Sequence, residues 1–249
     1  MFREIGSTSD WAKDLAASAG PGADLHGTVA VALHQTAGRG RLNRAWVSRP
    51  GRSLLASVLL KAPEGSPSGF RDAACAMAVA LCEAVSETSG VAASVKYPND
   101  VTIGGRKVAG LLLEAAPGHV VAGFGVNVHH RADELPAEVR TVATSIALES
   151  PSGVGPLLPV LLEAVLERLQ FHLADLDRAA NRMAALCDTV GRRISVEGID
   201  GHSLEGLAMG YRPDDGALML RLDHGMMVPV LSGDIRHLTQ VPHSPGTRT

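Results

Sequence analysis

The 249-residue sequence holds only three cysteines, and no two stand at metal-ligand spacing. Cys75 and Cys82, seven apart in an Ala-rich stretch, read as buried thiols on one helical face, and Cys187 as a third free thiol. That usage excludes a disulfide scaffold and fits a reducing compartment. No run approaches the roughly 18 consecutive apolar residues of a membrane-spanning helix. The opening Met1-Phe2-Arg3-Glu4 lacks the apolar core of a signal peptide. The expectation is a cytosolic, cytoplasmic protein without membrane association. Repeats at solenoid or propeller period are absent, as are a Walker phosphate loop and an H-E-x-x-H metal motif. His129-His130 reads as a surface pair whose side chains point to opposite faces of a strand, not as a metal site.

Charge of one sign is missing locally. Between Asp24 and Glu64 there is no acidic residue, whereas Arg39, Arg41, Arg44, Arg49, Arg52 and Lys61 all fall there. The net charge is only −3, so one cationic loop in a near-neutral chain points to a small anion more than to a polyanion surface.

Composition is that of an ordinary globular chain, 45% apolar and 20% charged. Ser7-Thr8-Ser9-Asp10 offers N-caps for a helix over Trp11 to Ala17, ended by Gly20-Pro21-Gly22. Strands are expected over 28–33, 53–60, 94–103, 107–115 and 120–128, with an Ala-rich helix over 70–88. A helix over about 156–187 is long enough to be broken. After Asp188 the texture turns to short alternating runs (193–197, 204–209, 217–222, 226–231) parted by Gly and Asp-Gly turns, which suggests a small β-barrel. The expected class is α+β, a mixed β-sheet with flanking helices and then the barrel. The domains expected are 1–187 and 188–240, with a frayed tail at 241–249.

Gly38-Arg39-Gly40-Arg41-Leu42-Asn43-Arg44-Ala45-Trp46 is a poor packing element. Its glycines permit positive φ and close backbone approach, and its arginines present planar forks suited to phosphate or carboxylate. Such a loop reads as a mobile cover for a polyphosphate, disordered when empty; an RNA-binding Gly/Arg segment or a solvated loop is the alternative. Downstream, Lys96-Tyr97-Pro98-Asn99-Asp100 places polar groups in an apolar strand, and Lys107 opens a buried one at a pocket mouth. Groups of this kind are costly to bury unpaired.

These segments, in this order, resemble the signatures of biotin–protein ligases: a GRGRxGRxW loop, a KWPND strand, KxxGxLxE and GxGxN. Here they stand as 38–46, 96–100, 107–114 (Lys107-Val108-Ala109-Gly110-Leu111-Leu112-Leu113-Glu114) and Gly123-Phe124-Gly125-Val126-Asn127, with Ser7-Thr8 and Gln35 in the family's positions. The departures are Asn43 for glycine, Tyr97 for tryptophan and Ser9 for a frequent Asn. Asn43 is expected to take the left-handed backbone in the glycine's place.

The resemblance implies a biotin/lipoate-ligase fold related to class II synthetases, with an SH3-like barrel behind it. It implies a ligase that makes biotinyl-5′-adenylate from biotin and ATP, then transfers biotin to a lysine of a biotin carboxyl carrier domain. Lys107, Arg39 and Asp100 would be catalytic. Biotin would meet Ser7, Thr8, Ser9, Gln35, Gly38, Arg39, Gly40, Arg41, Lys107 and Gly110. ATP or adenylate would meet Arg39, Arg41, Arg44, Trp46, Lys96, Asn99, Lys107 and Asn127. Mg2+ is the ion expected with the triphosphate, through ligands the sequence does not name. The chain starts almost at Ser7, which leaves no winged helix-turn-helix and implies the monofunctional form that does not bind DNA. A monomer and a homodimer both fit. The rival readings are a lipoate–protein ligase and, from a different class, a nucleic-acid-binding module.

Overall fold

The computed structural model describes residues 1–19, 23–61, 67–198, 202–231 and 233–238. The Gly20-Pro21-Gly22 stop, part of the Gly-rich turn at 198–201 and the 241–249 tail lie outside them.

Helix α1 (Thr8–Ser18) starts at Ser7, whose hydroxyl accepts from the Asp10 backbone N–H, the N-cap position expected. It is followed by β1 (Val29–Ala32), β2 (Ser53–Lys61), α2 (Pro67–Ser89), β3 (Ser94–Lys96), β4 (Asp100–Ile103), β5 (Arg106–Ala116) and β6 (His119–Asn127). These strands form one sheet in the order β1-β2-β6-β5-β4-β3. Neighbours pair antiparallel throughout. The parallel component that makes the sheet mixed is confined to isolated bridges such as Phe2 with Ala32 and Lys107 with Ala143.

One expected strand is two. The run 94–103 folds back on itself at Tyr97-Pro98-Asn99, so that Lys96 pairs with Asp100 in a hairpin. Pro98 has no N–H for a ladder and suits a turn.

β2 and β6 are interior strands of the sheet, and β6 is buried along its whole length. Their continuous apolar runs are explained by cover on both faces. Leu54, Ala56, Val58, Ala122, Phe124 and Val126 pack with α2 and with α4 (Leu158–Leu173) in the main core. The alternate residues Leu59 and Val121 pack on Ala12 and Ala16 of α1 instead.

The short α3 (Ile146–Glu149) precedes α4, and α5 (Leu176–Leu186) follows it, capped by the Asp175 carboxylate. The long C-terminal helix is therefore broken, at Ala174-Asp175. Cys75, Cys82 and Cys187 are free and buried; burial drives the Cys82 thiol up to about 12 and Cys75 to about 11.

A second antiparallel sheet comprises β7 (Arg193–Glu197), β8 (Ser203–Arg212), β9 (Ala217–Leu222), β10 (Met227–Val230) and β11 (Asp234–His237), in the order β10-β9-β8-β7-β11. This is the small barrel-like unit, with one more strand, β11, than the alternating runs indicated. It is pinned to the β3–β4 hairpin by the Tyr97 hydroxyl, 3.0 Å from the carbonyls of Gly216 and Val230.

His129-His130 departs from its surface reading. Both residues lie past the end of β6, and His130 is buried, its Nε2 3.1 Å from Ser53 Oγ. Two serine hydroxyls meet Nε2, while Nδ1 is buried without a partner among the described residues.

Candidate functional site

The face of the first sheet away from the main core carries Leu55 and Ser57 of β2, Gly123 and Gly125 of β6, and Gly110, Leu112 and Glu114 of β5. Register sets them in two rows. Leu55, Gly125, Gly110 and Asp100 lie side by side across four strands, and Ser57, Gly123 and Leu112 across three. The glycines open a furrow in this face. A Cβ on Gly125 would lie 2.6 Å from the Trp46 indole, and one on Gly110 would lie 2.9 Å from Lys107 Nζ. Trp46 and Lys107 occupy the space that ordinary side chains would fill.

One end of the furrow is a cluster of hydroxyls. Thr8 donates its backbone N–H to Gln35 Oε1 at 2.6 Å, and its hydroxyl lies 2.9 Å from the same oxygen. Ser57 Oγ is 2.7 Å from Thr8 Oγ1 and 3.0 Å from Ser9 Oγ. Ser7 is buried beside them, but its side chain caps α1.

The other end is cationic. Lys107 Nζ lies 2.7 Å from Asp100 Oδ1 and 5.5 Å from the centre of a Trp46 ring. A β-bulge explains its aim: between Val101 and Thr102 the register with β5 slips by one, with Val108 as the extra residue. Val108 and Ala109 both go to the core, and Lys107 is turned to the opposite face.

The Gly/Arg segment forms a hairpin. Arg39 bridges Ala45, Gly40 N–H donates to Arg44 O, and Trp46 N–H donates to Gly38 O. Its left-handed residue is Leu42, with φ 55°, and not Asn43 as expected. Gly38 serves close approach: its Cβ would fall 2.8 Å from the Trp46 carbonyl oxygen.

Arg39 makes two bonds to Asp10, of 2.6 and 2.7 Å. They hold the Asp10 carboxyl down at about 2 against the opposing effect of burial. Lys13 bridges Asp10 and Glu114. Arg41 donates to Asn99 Oδ1 at 2.8 Å. Two buried polar atoms here have no partner among the described residues, Trp46 Nε1 and Glu114 Oε2.

Thus Ser7, Thr8, Ser9, Gln35, Arg39, Gly40, Arg41, Trp46, Asn99, Lys107 and Gly110 line one pocket, and Asp100 braces its lysine. Four expected site residues stand outside it. Gly38 lies behind Trp46, Arg44 is turned to Asp234, and Lys96 lies on β3. Asn127 is buried, donating to Thr144 O. Residues not foreseen are Ser57 and Asp10; Glu114 and the floor glycines 123 and 125 stood in the signatures without a named role. Ser57 had a signal, a lone hydroxyl in the apolar run of β2.

A furrow with hydroxyls at one end, an aromatic wall and fixed cations at the other defines a binding protein for a small molecule with a polar head and an anionic tail. Comparison with known proteins agrees. The model of the Biotin/lipoate A/B protein ligase family matches residues 21–130. The biotin–[acetyl-CoA-carboxylase] ligase of Mycobacterium tuberculosis is 33% identical over 244 residues, which take in 96% of this chain and 88% of that one. The bifunctional ligase/repressor BirA of Bacillus spizizenii is 34% identical over 151 residues, 59% of this chain and 45% of the relative. The solved biotin protein ligase from Aquifex aeolicus in complex with biotin and ATP superposes with a TM-score of 0.81 at 26% identity, covering 96% of this chain and 98% of the other. The chain belongs to the biotin–protein ligase family.

Proposed function

We propose that this protein activates biotin with ATP and transfers it to a lysine of a biotin carboxyl carrier domain. The observation that carries the reading is the joining, in one furrow, of the Thr8–Ser57–Ser9 hydroxyls with Lys107, Arg39 and Arg41. The hydroxyls and Gln35 suit the ureido ring of biotin, whose N–H and C=O groups need partners when buried. Leu55, Leu112 and the Trp46 wall suit its apolar body.

The chemistry then follows from charge. A biotin carboxylate oxygen bonds to the α-phosphorus of ATP, and the bond from that phosphorus to the pyrophosphate oxygen breaks. Two anions must meet, and Lys107 with the Arg39 and Arg41 forks lowers the repulsion while fixing the approach. In the second step the carrier's amine attacks the acyl carbon, the carbon–oxygen bond to AMP breaks, and the amine gives up a proton. Asp100 holds Lys107 in place, and Asn99 holds Arg41. Glu114 would serve as an acceptor through its unpartnered oxygen.

No group of three or more metal-binding side chains occurs among the described residues, and Asp10, Asp100 and Glu114 already face cations. That donor set fits a Mg2+ ion that enters on the triphosphate and keeps most of its waters. The ion would supply neutralisation of phosphate charge. The three free buried thiols support a reducing compartment, and we assign the reaction to the cytosol. The Mycobacterium tuberculosis relative is named for acetyl-CoA carboxylase, and we assign the acceptor to the carrier domain of such a carboxylase.

The test is pyrophosphate release from ATP with biotin, lipoate or octanoate as the acid. Release is expected with biotin alone. Equal release with lipoate would transfer the reading to a lipoate–protein ligase.

A further inference from the structure

The arginine hairpin is poorly supported by itself. Its turn puts Leu42 in the left-handed region, unfavourable for a residue with a Cβ, and the Leu42 side chain is 58% exposed, with no core of its own. Trp46, seated in the furrow, anchors one strand of the hairpin. The other anchors come from the second sheet. Arg44 forms a two-pronged bond to Asp234, at 2.5 and 3.3 Å, and Arg41 donates to the Gly233 carbonyl at 3.0 Å.

Both partners stand at the start of β11. Asp234 starts β11 and pairs with Glu197 of β7, and its carboxylate is 20% exposed. Gly233 takes φ +140°, and a Cβ there would meet Val196 Cγ1 at 2.8 Å, so packing against β7 fixes the direction of its carbonyl. The Arg44 guanidinium also holds the Asp234 carboxyl below the usual range.

We propose that Asp234 is a positioning residue for adenylate formation: it clasps Arg44 and thereby holds the 38–46 hairpin closed over the furrow, with Arg39 and Arg41 aimed inward. The second sheet is then a working part of the active site. Its contribution is to pre-order the cations that receive the triphosphate and to keep water from the acyl-phosphate anhydride. The kinetic half of this inference rests on the ligase reading above; the structural half does not.

The test uses the full chain and the variants Asp234→Ala, Asp234→Asn and Asp234→Glu. Two readouts are taken beside thermal melting. Trypsin cleavage after Arg39, Arg41 and Arg44, followed by mass spectrometry without ligands, reports hairpin opening and needs no activity. ATP- and biotin-dependent pyrophosphate release reports KM and kcat. Asp234→Ala and Asp234→Asn should be cut several-fold faster and show an ATP KM raised by about 3- to 10-fold, the range of a single partly exposed ion pair. Their kcat should move less, melting should stay close to wild type, and Asp234→Glu should recover most of both losses. Wild-type cleavage and KM in Asp234→Ala would overturn the proposal. So would a lower KM, which would mean that Asp234 parks Arg44 away from ATP. A uniform loss of melting temperature in all three variants, without selective cleavage in the hairpin, would reduce Asp234 to a structural role. Absence of biotin-dependent pyrophosphate release in the wild type, with hairpin cleavage still faster in Asp234→Ala, would refute the ligase reading and leave the clasp standing.

Discussion

Lys107 owes its place to three neighbours: the bulge that turns it from the core, Asp100 that bonds its ammonium, and the Gly110 backbone that leaves room for its end. A shorter side chain at 107 would leave Asp100 unpaired and remove the one lysine that lines the furrow. Lys107→Ala is expected to lower biotin-dependent pyrophosphate release by on the order of 10²-fold, as loss of a preorganised charge donor does elsewhere. Near wild-type turnover would remove Lys107 from the chemistry. The residue types were readable in the chain because Lys, Asn and Asp inside apolar runs are anomalous. Ser57 escaped notice because it becomes polar company for the ligand only when α1 packs on β2.

At the scale of elements, the furrow is a property of pairing. Gly110 and Gly125 stand opposite one another on two neighbouring strands, and their missing side chains leave the slot for the Trp46 indole, while Gly123 faces the Ser9 and Ser57 hydroxyls. A methyl group at Gly125 would lie 2.6 to 2.9 Å from Trp46 Cε2, Cζ2 and Nε1. The indole would have to move, and the hairpin with it. Gly125→Ala should therefore raise the ATP and biotin KM values by about 10-fold or more, with little change in the far-UV spectrum. Unchanged KM values would show that the Trp46 wall is dispensable. In the chain the glycines of the 123–127 segment stand in one of the signatures; what they share a row with is a matter of register. The arginine hairpin shows the same limit. Backbone bonds and the seat of Trp46 join its two arms, and its left-handed residue is Leu42, one before the Asn43 expected.

For the whole molecule, several histidines are held neutral by the fold. His129, His130 and His237 all titrate lower than usual, mainly because burial disfavours the charged ring. A base with a lowered folded pKa binds fewer protons folded than unfolded. Stability should then be full above about pH 6.5, the unfolded value, and fall as pH drops below it. Asp10, held at about 2, loses its contribution only below the ordinary carboxylate range, at lower pH than the histidine window. Urea unfolding midpoints at pH 7.5 and 5.5 check this: a drop is expected, smaller in His130→Gln, and a flat or rising midpoint on acidification would contradict it. His130 was misread because a histidine pair at a strand end resembles a solvated one until Ser48 and Ser53 are seen around its ring.

The chain by itself determined the α+β class, most of the strands and helices, the break-prone C-terminal helix, the β-rich end and the segments that bear charge. Those are local matters of period, capping and turn chemistry, and each is written in neighbouring residues. The tertiary structure alone decided which face of the first sheet is open, where the bulge sends Lys107, and that Tyr97, Arg41 and Arg44 tie the site to the second sheet. Those facts depend on register and on contacts between residues up to nearly 200 positions apart, and single-chain periodicity carries no information about either.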